Sequence, residues 1–256
     1  MALFSGEGKQ PAFVIYRYHG AGTVPWNKHV TAQLEYVSDG VLRVQTEQGI
    51  WIAPPQRAVW ILPGVNHTTH SSSAYHLCTL FIQPTLIDLP PKCGVVEIDP
   101  LMRELLLAAA KFGPEYDTGS EEDRLIHFIL DRLPKKLLLP LHLPEPQDDR
   151  LQLLAQKLYN EPFNPLRLTA LAHTVGMTAR TAQRLFRKEM NMSFGKWRQQ
   201  LRLIVALEKL AAGEKITNVA LDVGYNSVPA FSTMFKKVFG ITPKRYFRQD
   251  KKSGKQ

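Results

Sequence analysis

The sequence predicts an α+β chain of two domains, in which an antiparallel β-barrel with flanking helices precedes an all-helical domain. Three observations lead to this prediction. Short strand patterns fill residues 12–83, two copies of one helix-break-helix pattern lie near the C-terminus, and a proline-rich stretch separates them. At 256 residues and 44% hydrophobic content, the chain can bury two modest cores. We therefore expect domains at residues 1–133 and 151–250, joined by a linker at 134–150.

The N-terminal half alternates short apolar runs with turn residues. Leu42 and Val44 alternate with polar neighbours, which is typical of a strand with one apolar and one polar face. The dipeptide Asp39-Gly40 predicts a hairpin turn. Strands are expected at residues 33–37, 40–46, 50–52, 58–62 and 74–83. Strands spaced this closely favour a small antiparallel barrel or sandwich.

Two amphipathic segments follow, at residues 99–112 and 121–133, and both are predicted to be helical. The first carries an apolar stripe at helical spacing, made of Leu101, Leu105, Leu106 and Ala109. Burial of this stripe inside one chain and burial in a dimer are both consistent with the pattern. Residues 134–146 then hold four prolines, which interrupt regular structure and indicate the linker.

The helix-break-helix pattern occurs at about 168–188 and again at about 216–238. In each copy a small residue stands four places before a glycine, and a hydroxyl residue follows as an N-cap for the next helix. These positions are Ala172, Gly176 and Thr178 in the first copy and Ala220, Gly224 and Ser227 in the second, and Thr178 and Ser227 are also predicted to contact DNA. Two helices at a steep angle are expected, as in a helix-turn-helix.

The second helix of each copy has a polar face opposite its apolar stripe. Residues three and four apart share this face, which holds Arg180, Gln183, Arg184 and Arg187 in the first copy and Ser232, Thr233, Lys236 and the neighbouring Lys237 in the second. Arginine pairs well with guanine and glutamine with adenine in the major groove. We therefore predict that Arg180 and Gln183 discriminate bases, whereas the second copy mainly contacts phosphate.

An apolar pattern from Phe194 to Ala212 predicts a helix between the two copies. At about 1.5 Å per residue it spans roughly 28 Å. Successive major-groove faces on one side of DNA lie about 34 Å apart, so this length suits two reading helices in adjacent grooves. Charge supports the same interpretation, because residues 1–150 hold 13 basic and 17 acidic side chains and residues 151–256 hold 19 and 6.

The cysteine count and hydropathy indicate a compartment. Cys78 and Cys93 do not suggest a disulfide framework, and their expected role is that of small buried apolar groups in a reducing cytoplasm. No stretch approaches the roughly 18 apolar residues that a membrane-spanning helix needs, and residues 1–10 hold no apolar signal core. We therefore expect a cytoplasmic protein with no membrane partner.

The last hundred residues resemble the AraC/XylS family of bacterial transcription regulators. The resemblance rests on the motifs at residues 170–172, 183–188, 191–198, 223–227 and 235–247. It implies a seven-helix unit that binds double-stranded DNA, a homodimer, and RNA polymerase as a partner if the protein is an activator. Arg167 departs from the family pattern, which has Ser or Thr there, so the helix that follows is expected to be less well capped.

Residues 26–29, Gln33 and residues 62–67 resemble the cupin-like effector domains attached to many members of this family. A metal-binding cupin needs three histidines and a carboxylate. Asn27 and Gln33 occupy two of those places, so His29 and His67 remain, and two imidazoles make a weak metal site. We therefore expect no metal and no cofactor, and a small organic effector instead. His29, Gln33 and His67 are predicted to orient it, with Trp51 or Trp60 as an aromatic wall.

These features together predict an effector-responsive transcription regulator, an activator, in which the barrel biases the DNA-reading domain. A metal-dependent cupin enzyme with an accessory helical domain is one alternative, and a DNA-binding protein that ignores ligands is another. No phosphate-cradling glycine loop, CxxC pair, or Ser or Cys nucleophile in a recognisable setting occurs in the sequence, so no catalytic residue is predicted.

Overall fold

The computed structural model describes residues 10–38, 40–54, 56–133 and 141–247. Two compact units are present. The first comprises the described residues up to Glu47 together with Trp51–Leu141, and the second comprises Gln48–Ile50 and the chain from His142 onward. The first unit is an antiparallel β-sandwich with helices and the second is helical, which confirms the predicted two-domain α+β class.

The strands form two five-stranded sheets with the orders β1-β8-β3-β6-β9 and β10-β5-β4-β7-β2. Their bounds are β1 Ala12–His19, β2 Gly22–Asn27, β3 Ala32–Val37, β4 Leu42–Thr46, β5 Gly49–Ala53, β6 Arg57–Ile61, β7 His67–Ser71, β8 Tyr75–Ile82, β9 Gly94–Glu97 and β10 His142–Pro144. The predicted alternation on β4 is confirmed, because Leu42 and Val44 are fully buried and the residues between them are half-buried.

The predicted hairpin at Asp39-Gly40 is wrong. Asp39 lies outside the described residues, and Gly40 adopts a positive φ of 83°, as a tight turn requires. However, β3 and β4 on either side of this turn belong to different sheets, so they do not pair with each other. The turn carries the chain from one layer of the sandwich to the other.

Two helices, α1 (Pro100–Ala109) and α2 (Glu121–Asp131), cover one face of the first sheet. Asp99 and Ser120 cap them by accepting hydrogen bonds from backbone amides at 2.7 and 3.2 Å. Sheet and helices share one apolar cluster, which includes Leu34, Tyr36, Trp60, Leu80, Met102, Leu106, Ala109 and Ile126. The predicted stripe on α1 is correct for Leu106 and Ala109, but Leu101 is 48% exposed because Met102 takes the inward position.

The structure also differs over the predicted linker. Residues 134–140 lie outside the described residues, but His142–Pro144 forms β10, which pairs with β5, and the next helix begins at Asp149. A proline lacks an amide donor yet keeps its carbonyl, and the oxygen of Pro144 accepts a hydrogen bond from Trp197 Nε1 at 3.1 Å. The later part of the proline-rich stretch is therefore ordered within the second unit.

The second unit contains the helices α3 (Asp149–Asn160), α4 (Leu168–Thr174), α5 (Ala179–Met190), α6 (Phe194–Ala211), α7 (Ile216–Asp222) and α8 (Val228–Phe239), and residues 243–247 are also helical. Trp197 on α6 is completely buried and packs edge to face against Tyr159 and Phe186. No helix within the described ranges is both long enough and apolar enough to cross a membrane.

Side chains on α6 bind the segments on both sides of it. Arg198 donates to the Leu166 carbonyl at 2.8 Å, and Arg202 donates to the Pro162 carbonyl at 3.0 Å. Further along α6, Lys209 forms an ion pair with Asp222 on α7 at 2.7 Å. The connecting helix is therefore fixed to the chain before α4 and to α7, which holds the two halves of the helical unit together.

Candidate DNA interface and ligand cleft

The turn between α4 and α5 has the geometry of a helix-turn-helix. Gly176 adopts a φ of 68°, and the amide of Met177 donates back to the Ala172 carbonyl at 2.9 Å. Thr178 then caps α5, since its hydroxyl accepts from the Thr181 amide at 3.1 Å. At the start of α4, Arg167 makes no side-chain cap, as predicted from its departure from the family pattern.

The turn between α7 and α8 repeats these contacts at matching positions. Gly224 adopts a φ of 80°, and the amide of Tyr225 donates to the Ala220 carbonyl at 2.9 Å. Ser227 caps α8 by accepting from the Ala230 amide at 3.3 Å. The two copies in the sequence are therefore two copies of one backbone structure, which confirms the predicted pair of helix-turn-helix motifs.

Both predicted reading faces are exposed. The apolar stripes are buried and consist of Ala182, Leu185 and Phe186 on α5 and Phe231, Met234 and Phe235 on α8. The opposite faces carry the side chains predicted to contact DNA. They are Arg180, Gln183, Arg184 and Arg187 on α5 with its cap Thr178, and Ser232, Thr233, Lys236 and Lys237 on α8 with its cap Ser227. All of these residues are exposed except Ser232, which is half-buried.

A small cleft that opens to solvent lies in the first unit. It is lined by inward-facing residues of β1, β3 and β8 and by residues of β2, β7 and the β2–β3 loop. The apolar part of the lining consists of Ile15, Val24, Leu77 and Phe81. The polar part consists of Arg17, His19, Asn27, His29, Gln33, Glu35, His67, Thr69 and Thr79. Polar groups of this kind, set in an apolar surround, are typical of small-molecule sites.

His29, Gln33 and His67, the three polar residues predicted to orient an effector, all line this cleft. The rings of His29 and His67 lie 5.7 Å apart. Nδ1 of His67 is 3.0 Å from the Val65 carbonyl, and burial lowers the pKa of the His67 imidazole, so the neutral form prevails near pH 7. Nδ1 of the neutral ring donates its proton to the Val65 carbonyl, so Nε2 is left as an acceptor for a ligand.

Neither predicted tryptophan lines the cleft. Trp60 on β6 pairs with Leu34, and both side chains belong to the cluster beneath α1 and α2, on the opposite face of the sheet. Trp51 is buried on β5 and is likewise absent from the lining. The aromatic wall is instead Phe81, whose ring stacks on Phe13 at 5.1 Å and meets His29 edge to face.

Sequence reasoning missed two charged residues of the cleft, Glu35 and Arg17. Glu35 is only 4% exposed, its Oε2 has no hydrogen-bond partner among the described residues, and burial raises its pKa to about 8. Residues two apart on a strand share a face, so the prediction for Gln33 already implied that Glu35 faces the same cleft. The position of Arg17 in the cleft reflects the same two-residue periodicity on β1.

The arrangement of His, Cys, Asp and Glu side chains bears on whether the described residues could hold a metal ion. No cluster of three or more His, Cys, Asp or Glu side chains there is arranged to hold an ion. Asn27, which stands where a metal-binding cupin has its first histidine, donates its side-chain amide to the Pro25 carbonyl at 2.9 Å.

Comparison with known proteins assigns a family model to each half of the chain. The model for an AraC-like ligand binding domain matches residues 10–119, and the model for a helix-turn-helix domain matches residues 171–249. The HTH-type transcriptional regulator NimR of Escherichia coli K12 is 37% identical over 235 residues, which cover 92% of this chain and 86% of NimR. This match spans both units.

Other matches are shorter or have lower sequence identity. The regulatory protein SoxS of Salmonella typhimurium is 31% identical over 97 residues, covering 38% of this chain and 91% of SoxS. Among solved structures, ToxT of Vibrio cholerae with bound unsaturated fatty acid is 14% identical, covers 94% of this chain and 96% of ToxT, and has a TM-score of 0.39. The chain therefore belongs to the AraC family of HTH-type transcriptional regulators, with an N-terminal ligand-binding domain.

Proposed function

We propose that this regulator acts as an effector-responsive activator that reads two adjacent segments of double-stranded DNA with α5 and α8. The observation that carries the proposal is the repeated helix-turn-helix, in which each second helix buries its apolar stripe and exposes its polar one. The excess of basic side chains in residues 151–256 supports contact with phosphate. In this proposal α5 makes most of the base-specific contacts, and α8 makes mainly phosphate contacts.

The side chains suited to base-specific contacts lie on α5. Arg180 and Gln183 lie within the first turns of α5, where the N-terminal part of a recognition helix meets base edges. A guanidinium pairs with guanine and a carboxamide with adenine in two-point contacts. On α8 the corresponding positions hold Ser232 and Thr233, whose short hydroxyls reach less far, so Lys236 and Lys237 would position the protein on phosphate.

The length of α6 supports a bipartite site for a single chain. Its 18 residues span about 27 Å, close to the roughly 34 Å between successive major-groove faces on one side of the duplex. Trp197, Arg202 and Lys209 anchor this helix to both halves of the unit. A stiff connection of this length favours simultaneous insertion of α5 and α8.

The first unit would supply effector binding and homodimerisation, and RNA polymerase would be the partner through which an activator works. A ligand changes DNA affinity only through its different affinities for two states of the protein. A coupling free energy of about 1 to 3 kcal/mol changes affinity roughly 5- to 150-fold. The cleft around His67 is the part of the first unit that offers a site for such a ligand.

Binding-site selection from random duplexes with the full chain, followed by footprinting, tests this function. Two protected segments one helical turn apart are expected, with stronger base preference in the segment read by α5. The matched variant is Arg180→Ala, which should flatten preference in that segment alone. Affinity that is the same for every duplex and falls steeply with salt would instead support a DNA-binding protein without sequence specificity.

A further inference from the structure

The cleft holds a buried acid whose role the fold does not explain. Glu35 faces Thr79 on β8 and Val59 on β6, its two neighbours across the sheet. The side chain is 4% exposed and lines the cleft, and its Oε2 has no partner among the described residues. A buried polar atom without a partner costs free energy, and a structural role would have supplied one. The Glu35 carboxyl lines the cleft, so a molecule bound there can supply the missing hydrogen-bond partner.

The groups around Glu35 determine its charge. Arg17 and His19 face the cleft from β1, His67 from β7 and His29 from the β2–β3 loop, and the Tyr75 phenol on β8 lies close enough for its pKa to respond to Glu35. Burial lowers the pKa values of His19 and His67, so these imidazoles are neutral near pH 7. A carboxyl that is desolvated without a cationic partner keeps its proton.

Arg17 carries the permanent charge of the cleft. A guanidinium has paired donors whose geometry matches a carboxylate. β1 and β3 lie on either side of β8, where Arg17 is opposite Leu77 and Glu35 is opposite Thr79. The backbones of Arg17 and Glu35 are therefore two strand spacings of about 4.8 Å apart and also offset by two residues along the strand. The neutral carboxyl of Glu35 and the guanidinium of Arg17 both line the cleft. Together they present hydrogen-bond donors and positive charge to a ligand.

We propose that the cleft selects a small carboxylate, which pairs with the Arg17 guanidinium and accepts a hydrogen bond from the Glu35 carboxyl, while its apolar body packs on Phe81. The proposal rests on the proposed effector-responsive function and names the chemical class of the effector. A cationic ligand would meet the charge of Arg17 and would have to ionise a buried acid. A carboxylate gains from both groups, since a carboxylic acid kept neutral is a donor.

Titration calorimetry on the full chain tests the proposal with three probes of one shape and different charge, namely benzoate, benzamide and benzamidine. At pH 6.5 benzoate should bind at least tenfold more tightly than benzamidine, with benzamide between them. Glu35→Ala and Arg17→Gln should each weaken benzoate about tenfold. Glu35→Gln keeps an N–H donor and should stay within about threefold of the native protein, and Glu121→Gln on exposed α2 is the control for loss of an acid elsewhere.

The pH dependence of benzoate affinity distinguishes a Glu35 carboxyl that donates a hydrogen bond from one that only lies near the ligand. Since the carboxyl donates only while protonated and its pKa is about 8, benzoate affinity should fall about tenfold from pH 6.5 to pH 9 in the native protein and stay level in Glu35→Gln. Equal or tighter binding of benzamidine, no binding of any probe, or the same pH profile in Glu35→Gln overturns the proposal. Sequence-specific DNA binding, measured without probe, reports independently on the proposed function.

Discussion

The guanidinium of Arg202 on α6 lies directly against Gly224, the turn residue of the second helix-turn-helix. Its Nη1 is 3.5 Å from the Gly224 carbonyl, and its Nε donates to the Pro162 carbonyl at 3.0 Å. A Cβ at position 224 would lie 2.6 Å from Nη2 of the same arginine. One side chain thus connects the second turn to the segment that precedes the first motif, and glycine is needed at 224 both for its positive φ and for this contact.

Gly224→Ala is therefore expected to destabilise the helical unit more than the matched Gly176→Ala. Both positions have positive φ, but a Cβ at Gly176 would meet no atom within 4 Å. Placing alanine at a positive φ lowers the free energy of unfolding by roughly 1 kcal/mol at both positions. Gly224→Ala should lower it by about 1 to 2 kcal/mol more, because the new Cβ displaces the Arg202 guanidinium, a charged hydrogen-bond donor. Denaturant unfolding followed by helical circular dichroism measures the difference. In an Arg202→Ala background the two alanine substitutions should cost the same, and a persistent difference would contradict this account.

Arg180→Ala and Lys236→Ala are expected to affect DNA binding in different ways. Loss of the arginine should cost about 1 to 3 kcal/mol on the preferred duplex and relax preference at a few base pairs. Loss of the lysine should weaken all duplexes alike and reduce the slope of log affinity against log salt by about 1. Gln183→Ala should behave like Arg180→Ala. Affinity measurements on a matched set of duplexes decide, and unchanged preference in both α5 variants would refute the assignment.

Arg167→Ser is expected to stabilise the helical unit. Arg167 has the extended backbone of an N-cap but provides no side-chain acceptor, and its side chain is exposed. A serine there can accept from a free amide of α4, as Thr178 does for α5, and should add about 0.5 to 1 kcal/mol. Arg167→Ala is the control, because it removes the same side chain without adding a cap. Equal stability of the two variants would show that α4 needs no cap.

Glu35→Gln is expected to change how the stability of the first unit depends on pH. The folded-state pKa of about 8 is above the ordinary value of 4.5, so between these values unfolding releases a proton. Stability should then fall as pH rises through this window, by at most about 1.4 kcal/mol per pH unit, and level off above pH 8. The glutamine variant lacks this loss, so its advantage should grow from pH 5 to pH 8. Thermal melts at matched pH test it, and parallel profiles would contradict the raised pKa.

Cys78 and Cys93 are expected to resist alkylation until the first unit unfolds. Both are free and buried, and burial raises the pKa of Cys78 to about 12 and raises that of Cys93 as well. The thiolate is the reactive form, so both accessibility and charge protect these thiols. Reaction with iodoacetamide should follow denaturant unfolding in rate and midpoint. Rapid labelling of either thiol in the native protein would be the contrary result.

Local signals explain why the helical unit was predictable. Glycine at the turn, a hydroxyl cap two or three residues later and an apolar stripe at helical spacing all act within about twenty residues, so Gly176, Thr178 and the face with Arg180 were found from the sequence. Each of these features depends on neighbours along the chain, not on distant ones. Gln33 and His67 were predicted differently, from the resemblance of residues 26–29, Gln33 and residues 62–67 to cupin-like effector domains.

The strand partners depend on distant residues, and there the predictions were wrong. Asp39-Gly40 has the composition of a hairpin turn, but β3 pairs with β6 and β8, so the turn changes sheet. Trp60 is apolar on a strand buried on both faces, so alternation does not say which face it joins. Trp60 packs beneath α1, which begins forty residues later in the chain, so its position depends on a distant segment.

The sequence by itself determined the two helix-turn-helix motifs and the helix α6 between them, because apolar periodicity and helix caps are local properties. It also determined that the first half of the chain is acidic and the second half basic. Tertiary structure alone decided that Glu35 lies in a cleft with Arg17, where its Oε2 has no hydrogen-bond partner in the described part of the chain, and that Arg202 packs against Gly224. Both relationships arise where strands or helices far apart in sequence pack together, and packing of that kind removes water and partners in a way that no single segment encodes.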